Sequence, residues 1–389
     1  MAPVRWRMET SRWLQRGIRV CIETARGGDG GGRLDGVLQK SLAPLPGSAI
    51  RFFWSTESTS NPPSQTQAVL GRISSGCVFT SSEGMRKLRY VPQPRTLVSI
   101  TNRTIQGRYL LRPGPSLNDL FLGILGRTQR RHEMAIAAVS VLSNHFDLLL
   151  IVDDAQEVAD FMRDLQSKTA REVNRLTDWK GPVFEHRYEM TVVTDEEPAQ
   201  VERLKYVLAN GAEENLVERV CQWPGVHSAE ALMQGTPLEG HWIDRTREHA
   251  ARNRKEELSR EEFVFAESVV LSPIPCWAHL PADLYRERIK ALVEEVDEEA
   301  ALVRRRSGAK VLGVKAILAL DPQARPTSVA RSPAPLVHAA TKAARKMFYE
   351  IYAEFVSAFR AAAAALRQGR RDAPFPVGSF PPRLPFVTG

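Results

Sequence analysis

Two short segments hold the residues whose types and spacing could do chemistry. His145 and Asp147 sit two apart inside Val-Leu-Ser-Asn-His-Phe-Asp-Leu-Leu-Leu-Ile. On a strand both side chains leave the same face. An imidazole and a carboxylate on an otherwise apolar strand need partners once buried, and a metal ion is one such partner. Tyr206 and Asn210 sit four apart in Arg-Leu-Lys-Tyr-Val-Leu-Ala-Asn, a helical pattern that puts them on one face. A phenol keeps its proton at neutral pH and is a poor nucleophile. A divalent metal that polarises a phosphodiester eases its attack. Together these are the parts of a metal-assisted tyrosine nuclease. Each residue also has a plainer reading, as a satisfied core histidine or a half-buried surface aromatic.

The elements that must position them are readable from residue 95 onward. Leu97 to Ile100, extended towards Tyr109–Leu111, predicts a first strand. Ser116 is placed to cap a helix whose stripe is Leu117, Leu120, Phe121, Ile124 and Leu125. Residues 134–142 and 145–152 predict two strands, joined by a short turn. Asp153 or Asp154 caps a helix that buries Val158, Phe161, Met162, Leu165, Thr169 and Val173. A strand over 183–193 precedes the helix bearing Tyr206, which tolerates Pro198 in its first turn. The order βαββαβα predicts an α+β, ferredoxin-like antiparallel sheet with helices on one face.

The flanks differ from this middle. Residues 1–84 carry the run Gly27 to Gly32 around Asp29, a Ser/Thr/Pro-rich stretch and little periodicity. They read as disordered or irregular sequence, or as an over-extended reading frame whose true start is Met85. Residues 236–389 are charge-dense and predict an α-helical C-terminal extension, ending in a proline-rich tail.

Three local matches give a family resemblance. Leu142-Ser143-Asn144-His145-Phe146-Asp147-Leu148-Leu149 stands where the single-tyrosine HUH transposases, the insertion-sequence-200-like family, have Asn-His-x-His-Leu-Leu. Val183-Phe184-Glu185-His186-Arg187-Tyr188 stands where that family has Trp-x-x-Arg and an aromatic. Tyr206 to Asn210, then Leu216-Val217 and Trp223-Pro224, matches its Tyr-x-x-x-Asn, leucine-valine and Trp-Pro. The segment resembles most nearly the REP-associated tyrosine transposases, over roughly residues 88–235.

The resemblance implies an HUH domain over 85–235. It implies Tyr206 as nucleophile, His145, Asp147 and Asn210 as ligands of Mg2+ or Mn2+, and single-stranded or hairpin DNA as substrate. Cutting and rejoining would pass through a 5′-phosphotyrosine. Arg187 and Tyr188 would support the site or contact DNA, and a homodimer is compatible. The departures are Asp147 for the family's second histidine and Phe184 for its tryptophan. Aspartate still suits a hard cation. The substitution therefore fits either an altered metal site or a homologue that only binds hairpin DNA.

Composition agrees with a polyanion partner without requiring one. Lys and Arg number 53 against 45 Asp and Glu, a net charge of +8. Arg127, Arg130 and Arg131, at the end of the first helix, are placed either to contact phosphate or to oppose the helix dipole. Arg304, Arg305 and Arg306 form a second basic run, best read as a solvated face. The four cysteines are far apart and read as reduced thiols, no apolar run reaches membrane-span length, and the expected location is the bacterial cytoplasm at the nucleoid. Nucleotide-loop, nucleophile-elbow and zinc-protease motifs are absent from the chain.

Overall fold

The computed structural model describes residues 87–255, 259–327 and 334–381. The expectation for residues 1–84 lies outside them. Eight residues, Thr96–Arg103, form β1; α1 spans Pro115–His132, β2 Ala135–Leu142, β3 His145–Val152, α2 Ala155–Thr177, β4 Glu189–Val193 and α3 Glu197–Ala209. The β2–β3 hairpin turns on Ser143 and Asn144, a two-residue connection that fixes register tightly. Asp154 caps α2 by accepting from the Glu157 amide at 2.8 Å. The first helix starts earlier than Ser116: Pro115 occupies its first turn, where the missing N–H costs nothing.

The strands order β2-β3-β1-β4, antiparallel throughout, as the split βαβ pattern requires. The chain ladders Arg103 opposite His145 and Thr101 opposite Asp147. Two expected strands are shorter than predicted. β1 stops at Arg103, where a 3-10 turn over Ile105–Gly107 with Gln106 in the left-handed region (φ 55°) breaks the extended chain. Ahead of β4, residues 183–188 touch the sheet through a single bridge, Phe184 to Thr104.

Both faces of the sheet are covered, which corrects the expectation of helices on one face. Even-numbered β3 residues (Phe146, Leu148, Leu150, Val152) pack with α1 and α2. The odd-numbered Leu149 and Ile151 pack with α3 residues Leu204, Val207 and Leu208. A strand as apolar as β3, buried along its whole length, needs a cover on each side. His145 and Asp147 share the α3 face with Leu149.

The chain after 236 is not helical alone. α4 (Ala229–Gln234) leads into β5 (Leu238–Ile243), α5 (Arg245–Asn253) and β6 (Val264–Val269), and β5 and β6 pair as a separate antiparallel hairpin. Then come α6 (Ala282–Ser307), α7 (Val314–Leu318), β7 (Val337–His338) and α8 (Lys342–Arg367). β7 extends the main sheet as a parallel neighbour of β4. α6 packs Ile289, Val293 and Val296 into the core shared with α3, and Lys205 of α3 pairs with Glu295 and Glu299 of α6 at 2.9 and 2.8 Å. No described helix is long and apolar enough to cross a membrane.

The hairpin docks on α1 through glycines. A Cβ on Gly123 would lie 2.0 Å from the His241 carbonyl carbon, and one on Gly240 would lie 2.4 Å from the Asp119 oxygen. Both obstacles are backbone and cannot swing away. Gly123→Ala is therefore expected to destabilise the fold by about 3 kcal/mol through overpacking. The shift in urea midpoint checks this, and an unchanged midpoint would contradict the docking.

Candidate active site

The antiparallel register sets Thr101, Asp147 and Ser140 side by side on three adjacent strands, on the face that α3 covers. Asp147 is wholly buried. Its Oδ1 accepts from the Thr101 hydroxyl at 2.5 Å, and its Oδ2 accepts from the Asn210 amide Nδ2 at 2.8 Å. His145 stands one pleat away with Nε2 at 3.6 Å from Asp147 Oδ2. The other ring nitrogen, Nδ1, lies 2.7 Å from Asn144 Oδ1. An Nδ1–H donated to that carbonyl leaves the Nε2 lone pair facing Asp147, the arrangement metal-ligating histidines adopt. Three segments distant in sequence, at Thr101, at His145 with Asp147, and at Asn210, thus meet at one point.

α3 delivers Asn210 because the helix ends there. Asn210 is its C-cap, and Gly211 follows in the left-handed region at φ 90°, where glycine carries no penalty. The Trp223 ring lies 3.1 Å from where a Gly211 Cβ would be, and its indole N–H donates to the Val141 carbonyl at 2.9 Å. Arg304 of α6 donates to the Ala212 and Glu218 carbonyls at 3.1 and 2.7 Å. It staples the loop after Asn210, whereas sequence alone read it as part of a solvated basic run.

Tyr206 lies one helical turn before Asn210 and is 41% exposed. Its hydroxyl makes no hydrogen bond among the described residues. The Arg203 guanidinium stacks 4.2 Å from its ring centroid. Desolvation and the nearby Asp147 charge push the Tyr206 pKa up to about 12, while Arg203 pulls it down. The phenol therefore holds its proton at neutral pH more firmly than a free tyrosine. Glu202, which shares its helix face, is turned away and pairs with His338 at 3.1 Å.

Sequence reasoning did not single out Thr101, Arg103, Arg203 or Glu214. Glu214 lines a cavity with His145 and Arg103, and lies near enough for His145 and Asp147 to act on its carboxyl. The register of β1 against β3 is the only signal that could have found Thr101 and Arg103. Glu214 and Arg203 depend on how α3 docks, which no local pattern encodes.

The expected DNA contacts are dispersed. α1 begins at the His145 end of the sheet and runs away from it, so Arg127, Arg130 and Arg131 reach the far end, on the opposite face. There Arg127 and Arg130 pair with the buried Glu267 at 3.3 and 2.7 Å, and Arg131 with Asp164 at 3.2 Å. Their charge holds the β5–β6 hairpin and α2. Tyr188 is 5% exposed, under the Arg89 guanidinium at 4.2 Å, so its ring serves the core and not the surface. Arg187, beside it, is exposed.

His227 supports the site from beneath. It is half-buried, forms a bridge with Ser140, and its Nδ1 accepts from the Ala229 amide at 3.2 Å. Burial lowers its pKa to about 4, against a weaker pull from the Val207 and Leu208 carbonyls of α3. The unfolded chain binds this proton near pH 6.5 and the folded chain only near 4. Stability from this group is thus full above pH 6.5 and falls as pH drops towards 4, by about 3 kcal/mol in all. Chemical unfolding across that range is expected to show the loss in the wild type and a flatter profile in His227→Gln.

The donor set suits a hard or borderline divalent cation. It offers an imidazole nitrogen with fixed tautomer, a buried carboxylate, and an amide that can present oxygen. A fully buried carboxylate with only neutral hydrogen-bond donors and a histidine near it is the kind of group a cation would satisfy. Among the described residues no three His, Cys, Asp or Glu side chains converge to hold a metal ion, here or elsewhere, so at this site Asn210 would have to supply the third ligand.

Residues 112–209 match the model of the family described as transposase IS200 like. No curated protein matches the chain. Among solved structures, it is similar to a REP-associated tyrosine transposase bound to a REP hairpin, at 14% identity and TM-score 0.31, covering 37% of this chain and 82% of that one. A "putative transposase" from Deinococcus radiodurans R1 matches at 21% identity and TM-score 0.23, covering 31% of this chain and 95% of that one.

Proposed function

We propose, from the match of residues 112–209 to the IS200-like transposase family model, that this chain is a single-tyrosine transposase that cuts and rejoins single-stranded, hairpin-flanked DNA. REP-associated elements of a bacterial nucleoid are its proposed setting. The observation that carries the reading is the meeting of His145, Asp147 and Asn210 one helical turn from Tyr206.

His145 Nε2, Asp147 and the Asn210 amide oxygen would hold Mg2+ or Mn2+, which when bound supplies a Lewis acid for the scissile phosphate. Asn144 holds the imidazole in its ligating tautomer, and Thr101 orients the carboxylate. Arg203, stacked on the phenol, favours the phenolate as it forms. The Tyr206 oxygen forms a bond to phosphorus as its proton passes to solvent water, which also supplies the proton for the departing oxygen. The bond from phosphorus to the 3′ oxygen breaks, and that oxygen takes up a proton. The products are a 5′-phosphotyrosine and a 3′-hydroxyl. A 3′-hydroxyl from another end can reverse the step, so rejoining needs no external energy source.

A second reading rests on Asp147 standing where the family has histidine: a protein that keeps hairpin binding without cleavage. Incubation with Mn2+ and hairpin oligonucleotides from the chain's own genomic flanks separates the two. The transposase reading expects a covalent adduct on a denaturing gel that EDTA prevents. A salt-dependent gel shift with no adduct would favour the binding protein.

A further inference from the structure

Beside His145 the protein encloses an open cavity of about 370 Å3, lined by Arg103, Tyr109, His145, Glu214, Leu312 and Ile317 among others. Its outer wall is a strap, residues 312–326, that lies beyond the family match. Leu312 and Gly313 donate to the Asn215 and Leu216 carbonyls at 2.9 Å each, which ties the strap to the loop after Asn210. At its other end the Tyr109 amide donates to the Ala324 carbonyl at 3.1 Å, and Arg112 donates to the Leu318 and Leu320 carbonyls at 2.8 and 3.0 Å. The strap is thus pinned at both ends to segments that flank the site.

The lining has a specific chemistry. Tyr109 is half-buried, lines the cavity, and stacks on no other aromatic ring or cation among the described residues. The guanidinium of Arg103, cross-strand neighbour of His145, makes no hydrogen bond or close ion pair among them. Glu214 is the one carboxylate in the lining, and its charge acts on Arg103 only at longer range. Leu312 and Ile317 supply an apolar wall. An aromatic face, an apolar wall, an acceptor and an unpaired cation next to a phosphodiester site match the parts of one nucleotide. The volume lies near the lower end of the roughly 300–1,000 Å3 of small-ligand pockets.

We propose that this cavity is a nucleobase pocket for the nucleotide beside the scissile phosphate, with Tyr109 as its stacking face, Arg103 as the phosphate clamp and the 312–326 strap as its wall. The assignment rests on the transposase reading for what lies at its mouth. Ionised, as the neighbouring His145 and Arg103 favour against the opposing effect of burial, Glu214 accepts from the exocyclic amine of cytosine where thymine presents a carbonyl, so the pocket takes cytosine in preference to thymine.

The test uses the full chain in EDTA with three probes: deoxycytidine 5′-monophosphate, thymidine 5′-monophosphate and 2-deoxyribose 5-phosphate, followed by ligand-observed NMR. The cytidine nucleotide is expected to bind about tenfold more tightly than the sugar phosphate, the scale of one base stack. Tyr109→Ala, and Leu312→Trp at the exposed rim, should each erase that difference and leave sugar phosphate binding unchanged. Arg103→Ala should weaken all three. Equal binding of nucleotide and sugar phosphate, or indifference to both Tyr109→Ala and Leu312→Trp, would overturn the pocket even if a Tyr206 adduct forms. Base-selective binding without any adduct would keep the pocket and sink the cleavage reading instead.

Discussion

Tyr206→Phe is expected to lower strand cleavage by about 10^4-fold or more, the scale on which loss of a covalent nucleophile acts. The substitution removes one oxygen that has no hydrogen-bond partner among the described residues, on a ring that is 41% exposed. Fold stability should therefore change by no more than about 0.5 kcal/mol. DNA affinity should persist, because the ring still stacks under Arg203. The wild-type rate should climb with pH through the neutral and alkaline range, since a phenol held near 12 gains phenolate about tenfold per pH unit. Quantifying adduct formation and gel shift on the same protein checks all of this. Cleavage that survives in the phenylalanine variant would mean that water, or another side chain, is the nucleophile.

Asp147→Asn should act in opposite directions on stability and on activity. The wild-type carboxylate is wholly buried with no Lys or Arg in ion-pair contact, and the His145 imidazole Nε2 lies 3.6 Å away. A neutral isostere still accepts from Thr101, and the Asn210 amide can turn to meet it. In EDTA the variant is expected to be about 1–2 kcal/mol more stable, as often happens when an uncompensated functional charge is removed. Mn2+ at a hundred times its dissociation constant should stabilise the wild type by about 2.7 kcal/mol and leave the variant unmoved. For a chain of 389 residues that is a rise in Tm of roughly 3–4 °C. Cleavage should fall by at least about 10^2-fold in the variant. A thermal-shift series with and without Mn2+ reads both signs. A variant less stable than the wild type in EDTA, with equal Mn2+ responses, would show that Asp147 is a structural acid and not a ligand.

How much of this was legible beforehand depended on whether the signal was local. The strands and helices from Leu97 to Ala209 follow from period and caps, and the split βαβ order follows from them. The convergence of His145 with Asp147 is a period-two fact, visible on any strand. Asn210 was visible as part of the Tyr-x-x-x-Asn spacing, but its role as the C-cap of α3 comes from Gly211 and Trp223 closing the turn. Face assignment was not legible: α3 covers the sheet face opposite α1 and α2 because apolar β3 needs cover on both sides.

The partners of the basic residues were hidden for a related reason. Arg127, Arg130 and Arg131 are ordinary helix-end cations until β6 brings Glu267 to them across more than a hundred residues. The same separation hid β5 and β6, short strands in a charge-dense region whose pairing is non-local. The strap over 312–326 has no strong period and is placed by backbone hydrogen bonds to loops. Sequence patterns carry no information about such bonds.

Mapping the covalent link tests the central claim most directly. The adduct formed with Mn2+ and a hairpin oligonucleotide would be digested with trypsin and nuclease and the modified peptide sequenced by mass spectrometry. The account predicts a nucleotide joined through its 5′ phosphate to Tyr206, with a free 3′-hydroxyl on the released strand. A link to any other residue, or cut strands with 5′ phosphates and no protein attached, would contradict it.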